Sequence, residues 1–148
     1  MARFSLNLRH QQQQMKNDCW ATCLAMVSEW RGFAITRQEI LTRATGILQS
    51  YAYGDMADCP ESNKVIKTMT NSGIEFELLG ARKLEAGEFV QYLNRRRVVM
   101  LSMLNHMWLV TGHSDLGLLV HDVGKKEGPH PATPAKVKSL MVDTMVLI

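Results

Sequence analysis

The sequence contains no apolar run long enough to cross a membrane. Its most apolar stretch, Val98 to Val110, is interrupted by Ser102, Asn105 and His106 and falls short of the roughly 20 residues that a bilayer-crossing helix needs. No membrane span is predicted and no membrane is expected as a partner. The N-terminal string Met-Ala-Arg-Phe-Ser-Leu-Asn-Leu-Arg lacks the apolar core of a secretory signal, so targeting is expected to come from elsewhere or from a removed segment. Cysteine is scarce: the three residues cannot all pair within the chain, and Cys19 and Cys23 stand one helical turn apart. A disulfide framework is therefore not expected, and a reducing compartment fits better. An excess of one charge is missing too. The 17 basic and 14 acidic side chains are mostly interspersed and leave a net charge of +3, which gives no footprint for a nucleic-acid partner. The run Arg95 to Arg97 reads as a solvated helix end.

With 148 residues, 46% of them hydrophobic, the chain can bury one core and is too short for two ordinary domains, so residues 1–148 are expected to form a single domain. Arg3 to Leu8 alternates loosely, as an edge strand does. After the short tract Gln11 to Gln14, apolar residues at Trp20, Cys23, Leu24, Val27 and Trp30 recur at helical spacing, with Asn17 or Asp18 as N-cap. Thr36 and Glu39 form a capping box for a second helix expected to end before Gly46. Gln49 to Cys59 reads as a loop. Pro60 suits the first turn of a third helix that stops by Gly73. Ile74 to Leu79 reads as a strand and Leu84 to Asn94 as a helix.

Beyond Arg97 the texture changes to short apolar runs, Val98 to Met103, Met107 to Thr111, Leu116 to Asp122 and Val142 to Ile148, which predict strands. Gly124 to Pro134 reads as a surface loop. There is no internal repeat. The expected class is α+β, with helices first and an antiparallel sheet second.

Cys19 falls on the predicted first turn of the Trp20 to Trp30 helix, at a helix end rather than in the deep core. Unpaired backbone N–H groups and the helix dipole favour a thiolate there. Cys23, one turn further along the apolar face, reads as a small buried hydrophobe. A hairpin centred on Ser114 would set His106 opposite Asp122, with Cβ atoms about 5 Å apart, close enough for the carboxylate to hold an imidazole N–H. A slip of one residue would bring His121 or Val123 there instead.

The string Gln13-Gln14-Met15-Lys16-Asn17-Asp18-Cys19-Trp20-Ala21-Thr22-Cys23-Leu24-Ala25-Met26 resembles the entry motif of papain-like cysteine proteases, in which a glutamine precedes the nucleophile by six positions. It looks most like the bacteriocin-processing leader peptidases and their standalone relatives. Asn105-His106-Met107-Trp108-Leu109-Val110 and Leu119-Val120-His121-Asp122 are similar to that family's later motifs. The resemblance implies a papain-like fold, Cys19 as nucleophile, His106 as general base, Asp122 as its orienter and Gln13 as a side-chain donor to an oxyanion hole. Gln12 or Gln14 could serve if the loop is offset by one. Two positions depart from the leader peptidases: Trp20 stands where they usually carry Gly, and Val123 where they carry Pro. Cys-Trp-Ala is instead the style of papain and of secreted effector proteases of plant pathogens.

The function expected on this basis is cleavage of a protein or peptide substrate, with no cofactor and no metal. As the toxin or effector domain of a secreted bacterial polypeptide, the protein would act in the cytoplasm of a producing or target cell and would have a cognate inhibitor or immunity protein. Leader-peptide processing, and a deamidase or acyltransferase using the same triad, are alternatives. A zinc module built on Cys19, Cys23, Cys59 and a histidine is the remaining one.

Overall fold

The computed structural model describes residues 3–53, 55–69 and 72–147. A short strand β1 (Arg3–Ser5) and the irregular glutamine tract lead into helix α1 (Cys19–Trp30). α1 is more than a one-sided amphipathic helix, because every residue from Cys19 to Ser28 is buried; it forms the centre of the core. Asp18 occupies its N-cap position without making a side-chain capping bond. α2 (Arg37–Ile47) opens on Thr36, whose hydroxyl accepts the Glu39 N–H at 3.2 Å, and it runs through Gly46 instead of ending before it. α3 (Cys59–Lys67) starts at an Asp58–Glu61 capping box with Pro60 in its first turn, and ends well short of Gly73.

β2 (Phe76–Gly80) and α4 (Ala86–Asn94) precede β3 (Val98–Met103), β4 (His106–Ser114) and β5 (Gly117–Asp122). β6 (His130–Ala132), α5 (Pro134–Leu140) and β7 (Asp143–Leu147) follow. The strands form one antiparallel sheet in the order β2-β7-β3-β4-β5-β6, with β1 paired to the far end of β4. This is the α+β architecture anticipated from the sequence. The expected surface loop of residues 124–134 is a correction, since it contains β6 and the start of α5. Thr133 caps that helix by accepting the Lys136 N–H, and Pro134 sits in its first turn, both ordinary start signals.

Two local features place the sheet side of the site. A two-residue turn, Leu104–Asn105, joins β3 to β4, with Asn105 at φ 61°, a left-handed conformation that asparagine tolerates. His106 is thereby the first residue of β4. The second hairpin turns at Asp115–Leu116, and Trp108, not His106, faces Asp122. The expected register about Ser114 is therefore off by two residues. The register also shifts between Val110 and Gly112. Continued without that shift, the turn-side pairing of Gly112 with Leu119 would set Asp122 opposite Leu109, on the face away from His106. The extra residue at Thr111 reverses the phase and returns Asp122 to the face that Trp108 and His106 share.

Candidate active site

His106 and Asp122 meet as diagonal neighbours across β4 and β5, with His106 Nε2 and Asp122 Oδ1 2.6 Å apart. The Gly124 N–H donates to the same oxygen at 3.0 Å. Burial raises the Asp122 carboxyl, but the bond from His106, the Gly124 N–H and the charges of His106 and Lys125 outweigh it and hold the group below its ordinary value. An ionised Asp122 accepts the Nε2 proton, which leaves Nδ1 as the ring nitrogen available to another partner.

Cys19 is the first residue of α1, which packs on β4. The backbone N–H groups of Trp20, Met107 and Cys19 itself act on its thiol in the direction that favours the thiolate. Met107 directly follows His106, so thiol and imidazole share one short stretch of β4. Among the described residues no hydrogen bond joins Cys19 to His106. The thiol is completely buried, which corrects its expected place at an accessible helix end: α1 is a core helix from its first residue. Burial pushes the Cys19 thiol up to about 11, with the Asp18 carboxylate adding to the push and the three N–H groups opposing it. In this state the group is a thiol at neutral pH, and a base must take its proton before it can attack. Cys23 and Cys59 are also free and buried, and burial pushes both upward.

The Gln13 N–H donates to the Val123 carbonyl at 2.7 Å, tying the glutamine tract to the residue after Asp122. Its side-chain amide donates to the carbonyls of Met15 and Lys16, each at 2.8 Å. Both amide protons are thus engaged within the loop, while Oε1 is buried without a partner. Gln14 accepts a bond from Arg37 and Gln12 is exposed. The structure brings the Gln13 backbone to the end of β5 but holds its side-chain donors in the loop.

Beside His106 and Asp122 a groove of about 570 Å³ opens, walled by Trp108, Met103, Leu104, Met141 and Val142. Leu104 is 85% exposed at the β3–β4 turn, an apolar side chain presented to whatever occupies the groove. Cavities along α2 and between α3 and β2 hold neither histidine nor cysteine. Among the described residues no three His, Cys, Asp or Glu side chains are grouped to hold a metal ion.

Sequence reasoning missed two contributors. A Cβ on Gly124 would lie 3.2 Å from Asp122 Oδ1 and 3.3 Å from His106 Cε1; a glycine two residues after Asp122 was the available signal. Asp18 reads in sequence as a helix cap, yet it is buried and paired with Arg37 at 2.7 Å.

The model of the family described as papain-like cysteine protease AvrRpt2 matches residues 2–122, a span that includes all four candidate positions. Solved structures share the fold at low identity. A double glycine motif protease from an AMS/PCAT transporter, in complex with the leader peptide, has a TM-score of 0.70 and 13% identity over 96% of this chain and 91% of its own. A protein from Bacillus anthracis described as a C39-like peptidase has a TM-score of 0.70 and 11% identity, over 100% of this chain and 98% of its own. The peptidase domain of Streptococcus ComA, a bi-functional ABC transporter, has a TM-score of 0.69 and 13% identity over 95% of this chain and 98% of its own. No curated protein sequence matches the chain. Because the family model spans most of the sequence and the fold is shared along nearly all of it, the chain belongs to the papain-like cysteine protease AvrRpt2 family and is a cysteine protease.

Proposed function

We propose that residues 1–148 act as one catalytic domain that cleaves peptide bonds in a protein substrate, with Cys19 as nucleophile, His106 as base and Asp122 as orienter. One observation carries the reading: the 2.6 Å bond from His106 Nε2 to Asp122, beside a thiol that the N–H of the next residue, Met107, favours as thiolate. His106 Nδ1 takes the thiol proton as sulfur attacks the carbonyl carbon. The imidazolium, stabilised by Asp122, returns that proton to the leaving amine, and water hydrolyses the thioester left on Cys19. Gln13 serves the oxyanion by turning its amide away from one loop carbonyl when substrate enters, a change compatible with catalytic bonds that tighten only in the complex. Since Cys19 is buried in this state, the cleft opens to admit the peptide.

The Cys19-Trp20-Ala21 string, in the style of secreted effector proteases, supports an effector role inside a target cell, with a cognate inhibitor or immunity protein as partner. Leader-peptide processing is the second reading, favoured by the neighbour bound to its leader peptide. A deamidase or acyltransferase would proceed through the same thioester. Mass spectrometry of proteins exposed to wild-type and Cys19→Ala protein separates these: new fragments support a peptidase, and a mass change at a side-chain amide supports the transferase chemistry. Fragmentation that persists in Cys19→Ala overturns the assignment of the nucleophile.

A further inference from the structure

A second carboxylate adjoins the nucleophile. Asp18 is 1% exposed and immediately precedes Cys19. Its Oδ2 accepts Arg37 Nη1 at 2.7 Å and the Met15 N–H at 3.3 Å, while Oδ1 is buried without a partner. Arg37, the first residue of α2, uses its other terminal nitrogen to hold Gln14 Oε1 at 2.9 Å. An aspartate at an N-cap ordinarily accepts backbone N–H groups of the helix it precedes, yet Asp18 makes no such bond. A carboxylate this buried persists in ionised form only if its charge is met nearby, and Arg37 is the cation that meets it.

We propose that Arg37 is a positioning residue of the active site: its guanidinium fork neutralises the Asp18 charge next to Cys19 and, through Gln14, fixes the loop from Gln13 to Asp18 that leads into the nucleophile. The proposal rests on the reading of Cys19 as nucleophile. A planar fork holds two acceptors in one fixed geometry, which an ammonium with rotatable donors does not. The titratable groups around the thiol are Asp18 beside it, Cys23 one turn along α1, and His106 on β4 with Asp122 behind it. Cys23 is held neutral by burial and Asp122 accepts the bond from His106. The Asp18 charge is balanced by Arg37, so loss of that cation leaves a bare negative charge against the sulfur and disfavours the thiolate.

The test is the rate of iodoacetamide addition at Cys19, followed residue by residue by mass spectrometry between pH 7 and 9, in four variants. Arg37→Gln is expected to react about tenfold more slowly than wild type, the equivalent of one pH unit. Asp18→Asn is expected to react faster. The double variant Asp18→Asn/Arg37→Gln should return to within about twofold of wild type, a restoration that a packing role for Arg37 does not produce. Arg37→Lys should keep the wild-type rate but lower kcat on a peptide substrate, because the hold on Gln14 is lost. Unchanged addition in a folded Arg37→Gln, or a double variant that stays slow, overturns the proposal. Should Arg37→Gln unfold, shown by fast labelling of Cys23 and Cys59, the double variant and Arg37→Lys decide by the same criteria. If Cys19→Ser retains peptidase activity while the addition rates follow the expected order, the charge balance stands and the nucleophile reading fails.

Discussion

Asp18 and Asp122 approach the same chemistry from different sides of the fold, one at the start of α1 and one at the end of β5. Each is held by a side-chain nitrogen at nearly equal distance, 2.7 Å for Arg37 and 2.6 Å for His106. Their partners differ in kind. A guanidinium keeps its charge across the accessible pH range, whereas an imidazole gains and loses a proton near neutrality. The Arg37 pair can only fix charge and geometry. The His106 pair can also move a proton, so proximity of an ion pair to a thiol is not by itself a catalytic assignment.

The largest effects should come from the side that moves a proton. Cys19→Ser and His106→Ala are each expected to lower kcat/KM by at least about 10⁴-fold, with the double variant little worse than either. Asp122→Ala should retain about 10²-fold more activity than His106→Ala, because the carboxylate orients the ring without transferring the proton. Equal loss in both would break the distinction drawn here, and peptide hydrolysis under single-turnover conditions measures it.

The fixed pair should show itself in stability. Arg37→Met leaves a carboxylate uncompensated in the core, which costs about 3–5 kcal/mol when a buried pair is broken on one side. Asp18→Asn with Arg37→Met should recover most of that loss in urea unfolding. If both single variants are neutral, the pair is no more than a surface contact, despite the 1% exposure of Asp18.

How much of this arrangement was legible in the sequence depends on the kind of signal each residue carries. His106 and Asp122 could be paired on paper because strand faces alternate with period two, so an error of two residues in register keeps both side chains on one face. The register itself was hidden, since it depends on the irregularity at Thr111, which leaves no mark in a hydrophobic pattern. Cys19 was identifiable by its place before an apolar helix, but its burial was not, because periodicity does not reveal that α1 is covered all round. Asp18 carried a misleading signal: an acid ahead of a helix reads as a cap, and only the packing of α2 against α1 brings Arg37 to it. Gln13 could be placed by spacing, while the direction of its amide is set by two loop carbonyls that no motif records.

A third pair, built without a carboxylate, sharpens the comparison through pH. His121 is buried, with its Nδ1 2.9 Å from His10 Nδ1. Burial first, then the charges of His10 and His130, lower it from 6.5 to about 4. Below about pH 6.5 the unfolded chain binds a proton there that the folded chain refuses until about pH 4, so stability from this site falls as pH drops through that window. Urea midpoints at pH 7 and 5 should separate in the wild type and draw together in His121→Gln. The Asp122 contribution is lost only at lower pH, as the medium passes through its depressed folded value, so a slope unaffected by His121→Gln would trace the acid loss to other groups.

The smallest expected effect is at Gly124, where it tests whether the His106–Asp122 bond tolerates displacement. An added Cβ would stand 3.2 Å from Asp122 Oδ1 and 3.3 Å from His106 Cε1, tighter than ordinary contact, so the pair must yield by a few tenths of an ångström. Gly124 does not occupy the left-handed region, so Gly124→Ala introduces contact without backbone strain, and stability should change by less than about 0.5 kcal/mol. Misplacement by about 1 Å can cost 10²-fold in rate, and this smaller shift should lower kcat/KM by about threefold to tenfold. In an Asp122→Ala background the same substitution should have almost no further effect, because the bond it crowds is already gone. A full effect in that background would mean that Gly124 acts on His106 or on the bound peptide directly, and the orienting role would then have to be shared between Asp122 and the loop that follows it.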